Sequence, residues 1–224
     1  MPKKNFLKSI YKSLDDWVSK NANGKYISDN FVDKKDEDLI VGDSYGIQQS
    51  RNEIFAFIKE IIKKKKNICL EIGIGHAGST HFLFRNIFKK TITIELEKSR
   101  VFDFRDRINN YYKKYVLGDG KSHFVFGLSS DPTTVLKIAT FLKKKKLDLL
   151  FIDGSHNFKD VLTDWLIYKN FVNKNGIIAF HDCNNNVNGS GGVPQLIEYI
   201  KKKENIKFKK IVYSRVMGIA YYIV

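Results

Sequence analysis

The sequence predicts an α/β fold: a doubly wound sheet of about seven strands with a terminal antiparallel hairpin, helices on both faces and an N-terminal helical appendage. Three observations carry that prediction. From residue 67 onward, short apolar runs alternate with stretches long enough for helices, the pattern of a parallel sheet covered on both faces. The first run passes straight into a glycine-rich turn and a helix start, in the order Asn-Ile-Cys-Leu-Glu-Ile-Gly-Ile-Gly-His-Ala-Gly-Ser-Thr-His over residues 67–81. The last two runs, 207–213 and 217–223, are separated by only three residues, too few for a crossover helix, so they pair antiparallel.

Taken in order, Phe6, Ile10, Leu14 and Trp17 recur at helical spacing and predict one amphipathic helix, broken at 21–24 and followed by a charged loop at 33–38. Residues 1–50 therefore read as a helical lid or docking segment. A helix merely packed on the core and one that covers a site or joins a second subunit, as in a homo-oligomer, both fit this pattern. Residues 51–224 read as one domain, since 224 residues suffice for one sizeable core plus an appendage but not for two. A helix from about 51 to 64 leads into a strand at 68–72, with Gln48 and Gln49 just ahead of it, placed to reach a ligand from the entry side. Ile68, Cys69, Leu70 and Ile72 read as a buried parallel strand, and Gly73, Gly75 and Gly78 let the main chain turn tightly against a ligand. After a helix at 79–88, the strand 91–95 ends in Glu95, twenty positions past Gly75, where a carboxylate can accept from both hydroxyls of a ribose. Further strands are expected at 123–127, 147–152 and 176–181, and the Asn-rich 184–192 stretch reads as a flexible loop.

Composition narrows the partners. The formal net charge of +15 admits a phosphate-bearing partner. Arginine, however, stands only at 51, 85, 100, 105, 107 and 215, whereas nucleic-acid readers depend on arginine forks. The lysine runs 63–66, 143–146 and 201–203 each close a predicted helix, where cations complement the helix C-terminus. Solvated helix ends are thus the first reading and a phosphate-binding face the second, and that face would suit a nucleotide-sugar as well as a polymer. Cys69 and Cys183 are too few for a disulfide framework and point to a reducing compartment. No apolar run approaches the length of a membrane span and none reads as a secretion signal, so a soluble, cytoplasmic protein is expected.

The glycine turn fits two ligand classes, and Glu71 separates them. A pyrophosphate would be repelled by a carboxylate in the strand before the turn, whereas S-adenosylmethionine carries an ammonium and a sulfonium and no phosphate. At Leu-Glu-Ile-Gly-x-Gly-x-x-Gly-Ser-Thr the chain resembles the class I S-adenosylmethionine-dependent methyltransferases, whose Rossmann-like sheet has five parallel strands followed by a hairpin. The resemblance implies S-adenosylmethionine as cofactor, with Glu71, Gly73, Gly75, His76, Ser79, Glu95, Ser129 and Asp153 as cofactor-binding residues.

Ligands of an open α/β sheet bind beyond the carboxyl ends of the strands. There, Leu-Asp-Leu-Leu-Phe-Ile-Asp-Gly-Ser-His delivers Asp153 and His156, and Gly-Ile-Ile-Ala-Phe-His-Asp-Cys delivers His181 and Asp182. These motifs, with Asp164 and Trp165 and then Gly-Gly-Val-Pro downstream, are similar to the small-molecule O-methyltransferases related to macrolide-sugar methyltransferases and cephalosporin-hydroxylase-like proteins, over roughly 45–224. That resemblance implies Asp153 and Asp182 as magnesium or substrate ligands and His156 as the base. Two departures stand out. His181 occupies a position where relatives carry an acid, and magnesium prefers oxygen ligands, so a metal-free version, with His156 or His181 as base oriented by Asp153 or Asp182, stays open. After the third strand Gly127-Leu128-Ser129 replaces Gly-Asp-Ser, which leaves Ser129, Ser130 or Asp131 to stand in for the missing acid. His76 could touch the methionine end of the cofactor, and His81 and His123 read as structural.

The implied reaction is O-methylation of a small polar acceptor, a sugar or nucleotide-linked sugar, with the N-terminal segment and the 184–192 loop setting specificity. A nucleic-acid methyltransferase is the alternative the charge permits, although Asp-Gly-Ser-His follows the fourth strand where amino-methylating enzymes carry Asn/Asp-Pro-Pro-Tyr/Phe. A non-catalytic nucleotide-binding module is the other, and the intact Glu71, Glu95, Asp153 and His156 speak against it.

Overall fold

The computed structural model describes residues 4–21, 49–74, 78–96, 120–184, 191–213 and 217–224. The Trp17 side chain, the loop at 33–38, Gln48, Gly75, His76 and most of the 184–192 stretch lie outside the described residues. Seven strands form one sheet: β1 (Ile68–Ile72), β2 (Lys90–Glu95), β3 (Ser122–Phe126), β4 (Leu147–Ile152), β5 (Val172–Phe180), β6 (Lys209–Ile211) and β7 (Ile219–Ile223). Their order is β3-β2-β1-β4-β5-β7-β6. The first five are parallel, and β7 runs antiparallel between β5 and β6. This is the Rossmann-like arrangement expected from the sequence.

Alternation along each strand divides the core into two layers. Cys69 of β1 and Leu149 and Phe151 of β4 face one layer, with α1 (Lys4–Asn21), α2 (Arg51–Ile61) and α3 (Ser79–Ile87). Ile68, Leu70 and Ile72, with Leu150 and Ile152, face the other, with α4 (Pro132–Leu142), α5 (Phe158–Tyr168) and α6 (Gly192–Glu204). A strand covered on both faces has no polar side to show, hence the unbroken apolar runs in the sequence.

The appendage is docked. Ile10 and Leu14 of α1 are buried in the same layer as α2 and α3. Tyr11 stacks on Phe55 at 4.2 Å between ring centroids and donates its hydroxyl to the Phe55 carbonyl. Arg51 grips Asp15 through both oxygens at 2.9 and 2.8 Å.

Two strands differ most from expectation. The strand β5 starts at Val172 rather than 176, because Val172 already pairs with Leu147 across an irregularity that Asn175, at φ +69°, accommodates. The strand β6 shrinks to three residues because it pairs with β7 alone at the sheet edge.

Ser50 caps α2, accepting from the Glu53 amide at 3.5 Å. The Glu53 carboxylate, fully buried, accepts from the amides of Tyr213 and Gly218 at 2.7 and 2.9 Å, clamping α2 to the connection between β6 and β7. Removing it strands two amides. Glu53→Ala is expected to lower the unfolding free energy by about 3 kcal/mol, read from the urea midpoint, and an unchanged midpoint would show that the clamp holds nothing.

Candidate active site

The site begins where β1 ends. Gly73 has φ +85°, and a Cβ there would sit 2.2 Å from the Asp153 carbonyl oxygen, so only glycine lets this turn pass the end of β4. Its amide donates to the Ile94 carbonyl at 2.9 Å, and the Asp153 amide donates to the Ile72 carbonyl at 2.9 Å, which ties the turn to both neighbouring strands. Glu95, buried at the end of β2, accepts from the Ile74 amide at 3.0 Å and from the Leu96 amide at 2.8 Å. The expected ribose acid therefore lies against the glycine turn.

Glu71, expected among the cofactor-binding residues, is buried near the end of β1 and points inward beneath the turn. It accepts from the Thr80 hydroxyl on one oxygen and from the Thr93 hydroxyl at 2.7 Å on the other. Thr93 is also 2.7 Å from His81 Nδ1, and His81 Nε2 is 2.9 Å from the Ser122 hydroxyl. This buried polar chain joins β1, α3, β2 and β3 beneath the turn. Burial raises the Glu71 pKa to about 8 against the lowering pull of the two threonines, with Asp153 and Glu95 adding to the rise. Burial lowers the His81 pKa to about 3, which keeps its ring neutral.

Two of the residues expected near the adenine, Ser129 and Asp131, have partners within the fold. Ser129 donates to Asp164 of α5 at 2.5 Å, and its carbonyl accepts from the Tyr168 hydroxyl at 2.6 Å. Burial holds Asp164 up at about 6. Asp131 caps α4, accepting from the Thr133 amide at 2.7 Å. Ser79 opens α3 behind Gly78 and is buried.

The four residues delivered by β4 and β5 converge. Parallel pairing of β4 with β5 sets Ile152 against Phe180, and the His181 amide donates to the Ile152 carbonyl at 3.1 Å. Inside this frame His181 Nδ1 lies 3.2 Å from Asp153 Oδ1 and 3.3 Å from Asp182 Oδ2, while His181 Nε2 lies 2.9 Å from Gln49 Oε1. His156 Nε2 is 2.8 Å from Asp182 Oδ2. Asp182 sits in the left-handed region at φ +56°, the backbone setting from which its carboxylate meets both histidines. The His156 segment is pinned from behind: the Gly192 amide donates to the His156 carbonyl at 3.1 Å, and a Cβ on Gly192 would come within 2.3 Å of that oxygen.

Electrostatics differentiates the two histidines. The bond to Asp182 raises the His156 pKa, against the opposing pull of partial burial, and this ring keeps 40% of its side-chain surface exposed. Burial alone would lower His181, yet the charges of Asp153 and Asp182 outweigh it and hold that pKa well above the ordinary imidazole value. Burial pushes Asp182 up, but His181 and His156 more than reverse it and drive the carboxyl below its usual range. Gln49, which the sequence placed near the ligand entry, is buried against His181.

Asp153, His181 and Asp182 also offer three ligand atoms within 4.8 Å of one another. His181 Nδ1 is buried and makes no directed hydrogen bond to either carboxylate despite its nearness to both. Two anionic oxygens and an unbonded ring nitrogen around one point fit a divalent cation. The sequence assigned only the two aspartates to that role. His181 as a third donor could have been read from its place beside Asp182, whereas Gln49 carried no such signal. No helix among the described residues is long and apolar enough to cross a membrane.

A family model described as a methyltransferase domain matches residues 70–183, from β1 through the His181–Asp182 pair. Among solved structures, an O-methyltransferase from Bacillus cereus in complex with SAH superposes with a TM-score of 0.58 at 13% identity, covering 100% of this chain and 93% of that one. The O-methyltransferase NovP gives 0.59 at 13% identity over 98% of each chain. MycE of the mycinamycin biosynthetic pathway, in complex with Mg, SAH and mycinamycin VI, gives 0.52 at 16% identity over 75% of this chain and 48% of that one, so the chain spans about half of MycE. At these identities the likeness is one of fold. A curated relative, an uncharacterized protein of Acanthamoeba polyphaga mimivirus, is 47% identical over 36 residues, a stretch spanning 16% of this chain and 16% of that protein.

The inward Glu71 has a measurable signature. Its folded pKa of about 8 lies above the model-peptide value, so the folded state holds a proton that the unfolded chain has lost. Its stabilising effect is complete below roughly pH 4 and disappears as pH rises toward 8. Glu71→Gln is expected to flatten that decline when urea midpoints are compared across pH 5–9, and identical slopes in both proteins would mean that Glu71 is ionised in the folded state.

Proposed function

The chain belongs to the methyltransferase-domain family, and from that premise we propose that it moves the methyl group of S-adenosylmethionine to a hydroxyl oxygen of a small polar acceptor, a sugar or nucleotide-linked sugar. The observation that carries the reading is a partly exposed imidazole, His156, held by Asp182 at the strand edge that also bears Asp153 and the Gly73 turn. The methyl donor arrives already activated. The protein needs only to set the acceptor oxygen in line with the sulfonium methyl and to take the hydroxyl proton as the bond forms.

On the donor side, Gly73, Gly75, His76 and Ser79 cradle the amino-acid end, Glu95 accepts from the ribose hydroxyls, and Glu71 braces the turn from beneath. On the acceptor side, Asp182 accepts from His156 Nε2–H and so leaves Nδ1 to receive the proton. The acceptor oxygen bonds the methyl carbon, the carbon–sulfur bond breaks, and the products are the methyl ether, S-adenosylhomocysteine and a protonated His156. A divalent cation held by Asp153, His181 and Asp182 would supply Lewis acidity that makes a bound hydroxyl easier to deprotonate.

The O-methyltransferase neighbours, two of them solved with SAH, support the donor and the oxygen acceptor. The lysine surplus supports an acceptor carrying phosphate. Residues 1–50 are read as the segment that covers the acceptor or joins a second copy, and residues 51–224 as the S-adenosylmethionine-binding domain of a cytoplasmic enzyme.

Calorimetric titration with S-adenosylmethionine and S-adenosylhomocysteine, with NAD as control, is expected to show micromolar binding of the first two and none of the third. Binding of NAD alone, or of nothing, would sink the donor assignment. His156→Ala is expected to cut turnover by roughly 10²–10⁴-fold while S-adenosylhomocysteine affinity holds; turnover equal to that of the unmodified protein would remove His156 as the base.

A further inference from the structure

Three acceptors surround the His181 ring, one at Nε2 and two at Nδ1. Gln49 Oε1 lies 2.9 Å from His181 Nε2, and an amide oxygen only accepts, so Nε2 carries the ring hydrogen. That leaves Nδ1, with Asp153 Oδ1 at 3.2 Å and Asp182 Oδ2 at 3.3 Å, to share its lone-pair side with two carboxylates. Such a point holds either a proton or a metal ion.

The spacing favours the ion. A proton between charged partners draws them to about 2.7–2.9 Å in a directed bond. Nδ1 stands farther off than that and has no directed bond. Ligands on adjacent corners of an octahedron with bonds of roughly 2.1–2.2 Å are separated by about 3 Å, close to the separations seen here. Gln49 completes the pattern, since a metal-bound imidazole characteristically donates its other N–H to a fixed acceptor that sets the tautomer. Its side chain is 1% exposed, and it is brought to His181 from 132 positions away by the capped, clamped start of α2.

We propose that Asp153, His181 Nδ1 and Asp182 bind a first-row transition cation of the manganese or cobalt type in preference to magnesium, and that Gln49 is the positioning residue that keeps Nδ1 available as a ligand. Magnesium demands a near-octahedral set of hard oxygens, while the later divalent ions accept imidazole readily. The site is the one assigned to methyl transfer, and the inference rests on that reading only for what the ion would do. Binding is therefore tested without turnover.

The test titrates the full chain with Mn²⁺, Co²⁺ and Mg²⁺ chlorides by calorimetry, follows the visible absorption of bound Co²⁺, and measures S-adenosylhomocysteine affinity of each variant as a check on folding. The unmodified protein is expected to bind Co²⁺ at least about tenfold tighter than Mg²⁺. His181→Asp, which restores an all-oxygen set, should shrink the Co²⁺ to Mg²⁺ preference about tenfold and shift the cobalt spectrum. Gln49→Leu should weaken Co²⁺ binding by about 10–100-fold, and Gln49→Glu, which still accepts from Nε2–H, should recover it. Absence of cation binding in the unmodified protein would overturn the inference, because a proton would then occupy the point. So would an unchanged metal preference in His181→Asp, or full Co²⁺ affinity in Gln49→Leu, which would show that Gln49 does not keep Nδ1 available. Cobalt binding without S-adenosylhomocysteine binding would uphold the metal site and refute the methyl-transfer reading.

Discussion

A single ring nitrogen, His181 Nδ1, separates two carboxylates at the carboxyl edge of the sheet, and much of the fold serves to keep it there. Side-by-side anions in a partly buried site repel unless a positive charge, a proton on that nitrogen or a metal ion bound to it, lies between them. The adjacency of β4 and β5 fixes where the two aspartates emerge, and the backbone bond from His181 to Ile152 fixes the ring's base. The far side of the ring depends on Gln49. Gln49 depends in turn on the Ser50 cap and on Glu53, whose carboxylate locks α2 to the terminal hairpin. The hairpin, distant in sequence from the glycine turn, is thereby coupled mechanically to the acid pair.

Donor and acceptor halves meet at one backbone contact. Because β1 lies next to β4, the turn at Gly73 runs against the Asp153 carbonyl too closely for any side chain. The surface that cradles a cofactor and the carboxylate that faces the reacting oxygen thus cannot move apart independently. Beneath them, the Glu71–Thr93–His81–Ser122 chain holds the first three strands and α3 in register without charge on the histidine.

The strands, the terminal hairpin and the positions of Asp153, His156, His181 and Asp182 were legible in the sequence because each follows from local periodicity or from a motif at a strand end. What was not legible is direction. Glu71 is a carboxylate before a glycine turn whichever way it points, and only Thr80 and Thr93, brought up by α3 and β2, turn it inward. Gln49 has no periodic or charge signature, and its partner is reached only through tertiary packing. Ser129 and Asp131 looked equally available after β3 until α5 and the first turn of α4 claimed them. The early start of β5 and the short β6 are neighbour effects, set by which strand each has to pair with.

Asp182 occupies a left-handed backbone conformation, which for a residue with a side chain costs about 1 kcal/mol that glycine, and to a lesser degree asparagine, would not incur. The fold on its own therefore favours replacing this aspartate, and only the two histidines it serves oppose the change. Position 182 is thus a place where backbone preference and side-chain electrostatics pull in opposite directions. A glycine here would relax the turn and leave both histidines without the carboxylate they share.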